Sequence, residues 1–97
     1  MSEIRRVLNR IIWHPKEDPR KYEIVFIHRG APNNLKVIPM WCVTKINPGS
    51  FEYSLGNERA RIPFHRIVEI RTIDSKQVVW RSRKYGSATI FKNTKNS

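Results

Sequence analysis

Acids, cysteine and long apolar runs are scarce in this 97-residue chain, and each shortage excludes something. A lone cysteine, Cys42, can form no internal disulfide, which fits a reducing compartment. Cys42 and the three histidines do not fall into the paired spacing of a zinc finger, so no metal is expected. No apolar run approaches the about 18 residues that cross a bilayer, and the first residues lack the apolar segment of a signal peptide. The expectation is a soluble, cytoplasmic protein with no membrane partner. The sequence also has no Walker-type phosphate loop, no G-x-S-x-G elbow and no carboxylate cluster for Mg²⁺, so neither a cofactor nor the usual hydrolytic machinery is expected.

Scarce acids leave a large excess of the other sign. Eight Asp and Glu face nineteen Lys and Arg, a formal charge of +11. Self-repulsion on that scale weakens a compact chain and is relieved by a polyanion, which makes RNA, another nucleic acid or an anionic surface the natural partner. Apolar residues are 39% of the chain, enough for one small core, and the length corresponds to a single domain. The expected boundaries are residues 1–84 for the globular domain and 85–97 for a basic tail, in which "ATIF" could form a short strand.

Ile4, Val7, Leu8, Ile11 and Ile12 follow the spacing of one helical face, Ser2 is a suitable N-cap, and Pro15 stops the pattern. These features predict a helix over residues 3–13 with Arg5, Arg6 and Arg10 on its polar face. The rest reads as about seven short strands separated by turn formers: "YEIVFIH", "LKVIP", "VTKI", "FEYSL", "RARIP", "IVEIRTI" and "VVWRSR". The fold class expected is α+β, an N-terminal helix packed on a small curled antiparallel sheet or partial barrel of six to seven short strands.

One phrase occurs twice. "VIPMWCVTKI" and "RIPFHRIVEI" share Ile-Pro, a large apolar residue, two variable positions and apolar residues at matching offsets, 24 positions apart. Proline suits a strand end because it has no N–H for the ladder. Each copy therefore reads as a strand end and turn that curls the sheet, and the copies differ in carrying Trp41 and Cys42 or His65 and Arg66.

Candidate chemistry concentrates on basic residues. His28 and His65 could serve as base and acid on a phosphodiester, though neither lies in a His-x-Thr or His-x-Ser pair, and each also reads as a polar residue at a strand end. Cys42 lies in an apolar segment and reads as a small buried hydrophobe. Arginine presents a planar fork that meets a phosphate with two parallel hydrogen bonds, and a histidine can add a donor. The phosphate-binding candidates are His28, Arg29, His65, Arg66 and Arg81, with the helix residues Arg5, Arg6 and Arg10. Trp13, Trp41 and Trp80 could each stack a base. Trp13 continues the apolar helix face and Trp80 is flanked by Val78 and Val79, so both are expected in the core, whereas Trp41 is expected to be partly exposed.

In order and spacing, "RRVLNRIIWHP", "DPRKYEIVFIHRGAP", "VIP", "RIPFHRIVEIR" and "VVWRSR" resemble a family of small, mostly archaeal proteins known as RNA cyclic-group end recognition domains. The resemblance covers residues 2 to about 83. It implies recognition of RNA ends bearing a 2′,3′-cyclic phosphate or a similar group during RNA repair or maturation, with single-stranded RNA ends and an RNA-processing enzyme as partners. The motif positions it carries over are Trp13, Pro15, Asp18, Pro19, Tyr22, His28, Arg29, Gly30, Pro63, His65, Arg66, Trp80 and Arg81. Many members have Asp where this chain has His28, which implies that no catalytic histidine is required there. The tail lies outside the family pattern. Two alternatives remain beside an RNA-end-binding module: a metal-independent phosphoesterase using His65, and a non-specific basic accessory protein of a ribonucleoprotein.

Overall fold

The computed structural model describes residues 2–84, so the tail and its expected strand lie outside the described residues. The helix, α1 (Glu3–Trp13), has the expected bounds, and the Ser2 side chain caps it by accepting from the Arg5 amide at 3.3 Å. Ile4, Leu8 and Ile11 are buried against the sheets. The proline-rich connector then forms a 3₁₀ turn, Pro19–Lys21, capped by Asp18, which accepts from the Arg20 amide at 3.0 Å.

Seven strands follow: β1 (Tyr22–Ile27), β2 (Leu35–Pro39), β3 (Val43–Ile46), β4 (Ser50–Leu55), β5 (Glu58–Pro63), β6 (Ile67–Thr72) and β7 (Val78–Arg81). They form two antiparallel sheets, one in the order β2-β1-β6-β7 and the other β3-β4-β5. The sheets curl around a shared core and do not close into a barrel. Phe26 of the first sheet meets Phe51 and Tyr53 of the second at ring separations of 6.1 and 5.9 Å, and all three are buried.

The repeated Ile-Pro phrase builds both passages between the sheets. At Pro39 the chain leaves β2 of the first sheet, makes the 3₁₀ turn Met40–Cys42 and enters β3 of the second. At Pro63 it leaves β5 of the second sheet, makes the turn Phe64–Arg66 and enters β6 of the first. The backbones of the two corners nearly coincide: φ/ψ is −66°/145° at Pro39 and −60°/143° at Pro63, and −70°/125° at Val43 against −72°/127° at Ile67. Proline ends the ladder and holds φ near the value that the turn needs. The next residue, Met40 or Phe64, drops into the core, and the one after it, Trp41 or His65, faces solvent. At the third position the copies diverge because the Pro19–Lys21 turn packs against the first corner, where Cys42 is buried. Burial pushes the Cys42 thiol upward in pKa, as suits a small hydrophobe. In the second corner Arg66 is exposed.

The outer face of the first sheet carries a ladder of charges. Arg71 donates to Glu23 at 2.6 Å and to Glu69 at 3.2 Å, Lys76 donates to Glu23 at 2.9 Å, and Arg81 lies 3.8 Å from Glu69. Both carboxylates are buried. Burial pushes the Glu23 carboxyl upward, but hydrogen bonds from Lys76 and Arg71, with their charges, outweigh it and hold the pKa below the usual value. A separate ion pair, Lys36–Glu58, ties β2 to β5, and the Tyr53 hydroxyl donates to the same Glu58 at 2.8 Å. Burial first, and then this carboxylate, push Tyr53 up to about 12.

One expectation is corrected. Trp13 is 73% exposed and lies outside the core. It follows Ile4 by nine residues, which at about 100° per residue is half a turn of the helix from the buried face. Trp80 is half-buried and packs against the core with its Nε1 donating to Glu3 at 3.2 Å.

Replacing Met40 by Ala is expected to cost about 2–5 kcal/mol, the usual range for emptying a fully buried site. Trp41→Ala one residue later should stay within about 1 kcal/mol, because that ring is half in water. Urea unfolding of the two variants measures both. Glu23→Gln should cost about 2 kcal/mol near neutral pH, the scale of a charge-assisted hydrogen bond. A depressed folded pKa stabilises above the ordinary glutamate value of about 4.3 and loses that stabilisation as pH falls through the folded value. The gap between wild type and Glu23→Gln should therefore narrow on acidification below about pH 4, as read by urea midpoints across pH.

Candidate functional site

Strand register gathers two of the sequence motifs at one end of the first sheet. The last ladder pair between β1 and β6 is Phe26 with Ile67, past a bulge after Val25. Beyond it β1 runs on through Ile27 into His28 and Arg29, while β6 is entered from His65 and Arg66, so both His-Arg pairs leave the ladder at the same end. β7 finishes there too. Arg81 is the partner of Glu69, and the Ser82 amide donates to the Val68 carbonyl at 2.8 Å, which carries Arg83 and Lys84 to this end. β2 begins there with Leu35 opposite Ile27 and Lys36 opposite Phe26.

The loop that presents His28 and Arg29 is held by its own backbone. The His28 amide donates to the Asn34 carbonyl at 2.8 Å, and the Asn34 amide donates to the Ala31 carbonyl at 2.8 Å. Gly30 has φ +93°, a conformation that residues with a Cβ rarely adopt, so glycine is required where the chain turns after Arg29. His28 is half-buried with its ring edge-on to Phe26 at 6.2 Å, while Arg29 reaches solvent. His28, Arg29 and Lys36 border a shallow depression floored by Ala31, Leu35 and Val37. On the other strand, the Phe64 amide donates to the Gly49 carbonyl at 3.0 Å, which anchors the corner bearing His65 and Arg66.

Charge at this end is unbalanced because the acids are already engaged. Each of the eight carboxylates has a partner, and the two nearest, Glu58 and Glu69, are held by Lys36 with Tyr53 and by Arg71 with Arg81. Hydrogen bonds from Lys36 and Tyr53 hold the Glu58 carboxyl below the usual range, so it stays ionised opposite Lys36. Arg29, Arg66 and Arg83 have no ion pair among the described residues.

Not every sequence candidate belongs to this cluster. Arg81 reaches the same end, but its guanidinium faces Glu69 on the outer surface, so its charge is partly spent. Arg5 does not share a face with Arg6 and Arg10. It is half-buried and its Nε is enclosed without a hydrogen-bond partner among the described residues, whereas Arg6 and Arg10 are exposed one turn apart. Trp41 is 55% exposed, as its sequence position suggested. Its corner, however, follows the end of β2 opposite Glu23, at the far end of the sheet from His65. Sequence reasoning missed Lys36, whose nearness to the Phe26–His28 strand end depends on hairpin register. Among the described residues no group of three or more His, Cys, Asp and Glu could hold a metal ion, and no helix is long and apolar enough to cross a membrane.

Comparison with known proteins gives a consistent result. The sequence model of the MJ1316 RNA cyclic group end recognition domain matches residues 1–82. A UPF0248 protein of Methanococcus vannielii is 35% identical over 78 residues, spanning 80% of this chain and 89% of the relative. UPF0248 proteins of Thermococcus onnurineus and Pyrococcus furiosus are 38% and 36% identical, covering 86% and 88% of this chain and 88% and 94% of their own lengths. No solved structure matches.

Proposed function

The chain belongs to the MJ1316 RNA cyclic group end recognition domain family, and from that premise we propose that it is an RNA-binding module that captures processed RNA ends bearing a 2′,3′-cyclic phosphate. The observation that supports this reading is that two His-Arg pairs, after β1 and before β6, flank the ladder at the same end of a sheet whose nearest carboxylates are engaged. Arg66 and Arg29 would each meet phosphate oxygens with a planar fork, and His65 and His28 would add donors. Arg83 and Lys84, next along the same end, would follow the backbone of the RNA. Fixed strand ends and hydrogen-bonded loops reduce the ordering cost of such a site.

End recognition must be separated from general attraction. A cyclic phosphate is a monoanion and an open phosphate carries more charge, so charge alone would favour the open end. A preference for the cyclic group therefore reports shape. The same end also bears the two imidazoles that a metal-independent phosphoesterase would use as acid and base. Ring opening by the pure protein that disappears in His65→Ala would favour that second reading. A cyclic end that persists favours the binding module.

Fluorescence anisotropy on one short single-stranded RNA with cyclic phosphate, open phosphate or hydroxyl at its 3′ end, at two salt concentrations, tests the proposal. The cyclic end should bind tightest at both salts, and Arg66→Ala should weaken it about tenfold, equivalent to about 1.4 kcal/mol, with the urea midpoint unchanged. Equal affinities that fall together with salt, by about 0.7 log units per contacted phosphate for each tenfold rise, would reduce the protein to a non-specific basic accessory.

A further inference from the structure

The exposed Trp13 has no structural task that accounts for it. It ends a stripe on α1 in which Arg6, Asn9, Arg10 and Trp13 recur at helical spacing on the solvent side, with His14 and Pro15 closing a shallow, mainly apolar hollow beside the ring. Burying a tryptophan is strongly favourable, and leaving one 73% exposed in a domain with a small core is a cost that a ligand would remove.

The chemistry around the ring selects the ligand. Arg6 has no ion pair among the described residues, and Arg10 lies 3.6 Å from Glu17 with its side chain half exposed. The neighbouring carboxylates are engaged, Glu17 by the Tyr22 hydroxyl at 3.0 Å and Glu3 by Trp80 Nε1 at 3.2 Å. His14 Nδ1 accepts from the Lys16 amide at 3.1 Å, so the imidazole presents Nε2–H outward as a donor. A flat apolar face bordered by cations and an outward donor matches a nucleobase with its phosphate. An acidic peptide would meet the cations but leave the ring face unused. Arg6 and Trp13, seven residues apart, span about 10 Å along the helix axis, room for one stacked base and an adjacent phosphate.

We propose that the Arg6–Arg10–Trp13 stripe is a second RNA subsite, separate from the end-binding cluster, in which Trp13 stacks an unpaired base and Arg6 and Arg10 hold the neighbouring phosphate. The proposal rests on the RNA reading above. It makes the protein a two-point binder, reading the end on the sheet and gripping the single strand on the helix.

The test compares Trp13→Ala, Trp13→Phe and Arg66→Ala on two cyclic-phosphate RNAs, a dinucleotide and a twelve-nucleotide single strand, by anisotropy. Trp13→Ala is expected to weaken the longer RNA about tenfold, within the about 1–3 kcal/mol that a stacked base contributes, and to leave the dinucleotide unchanged. Trp13→Phe should keep most of the affinity, since a smaller ring still stacks. Because Trp13 is outside the core, its variants should unfold at the wild-type urea midpoint. Loss with Arg66→Ala but none with Trp13→Ala on either RNA would overturn the second subsite and leave end recognition standing. Loss with Trp13→Ala but none with Arg66→Ala would support the stripe while removing the end site. No binding of either RNA by the wild-type protein would overturn both.

Discussion

Proline at the ends of β2 and β5 can offer no hydrogen to a neighbouring strand, and much of the architecture depends on that missing donor. With the ladder interrupted at Pro39 and Pro63, the chain makes one 3₁₀ turn and resumes pairing in the other sheet. Two such corners of nearly identical backbone geometry join a four-stranded and a three-stranded sheet around one core, with Met40 and Phe64 as the side chains that pin the corners inward. A chain of this length has little apolar material to spare. Turning the sheet on itself lets both inner faces share the same aromatic cluster of Phe26, Phe51 and Tyr53.

The corners also govern where functional side chains can stand. The residue after the buried one must face away from the core, which is why Trp41 and His65 are both exposed. What differs is the surroundings. The Pro19–Lys21 turn packs against the first corner and favours a compact apolar group at its third position, filled by Cys42. The second corner is open, and a long cation fits there without desolvation cost. Duplicated backbone devices thus give one structural corner and one candidate site.

Electrostatics divide the surface in the same way. Few acids are available, and most are in ion pairs: Glu23 and Glu69 in the ladder on the outer face, Glu58 between the sheets, Glu17 just past the end of the helix. Opposite charges there are partly buried, and each carboxylate is held by a cation. Pairing of the nearby acids Glu58 and Glu69 with Lys36, Arg71 and Arg81 leaves Arg29, Arg66 and Arg83 without ion pairs among the described residues.

Much of the fold was legible in the sequence because local rules act there. Apolar spacing set the bounds of α1, Ser2 announced its cap, and alternating β-branched segments between turn formers marked seven strands. The repeat of Ile-Pro indicated two equivalent bends, and it also suggested that His65 and Arg66 belong together. Local rules stop at pairing. Which strand lies beside which depends on hydrogen bonds between residues far apart in the chain, so the exit of His28 and Arg29 at the same sheet end as Arg66, and the removal of Trp41 to the opposite end, follow only from register. Helical phase, legible in principle, was overridden by residue type in the case of Trp13, whose apolar character hid a position half a turn from the core. Composition determined that the protein is cationic. Tertiary structure decided which cations remain uncompensated, because an ion pair is a matter of distance across the fold, not of sequence position.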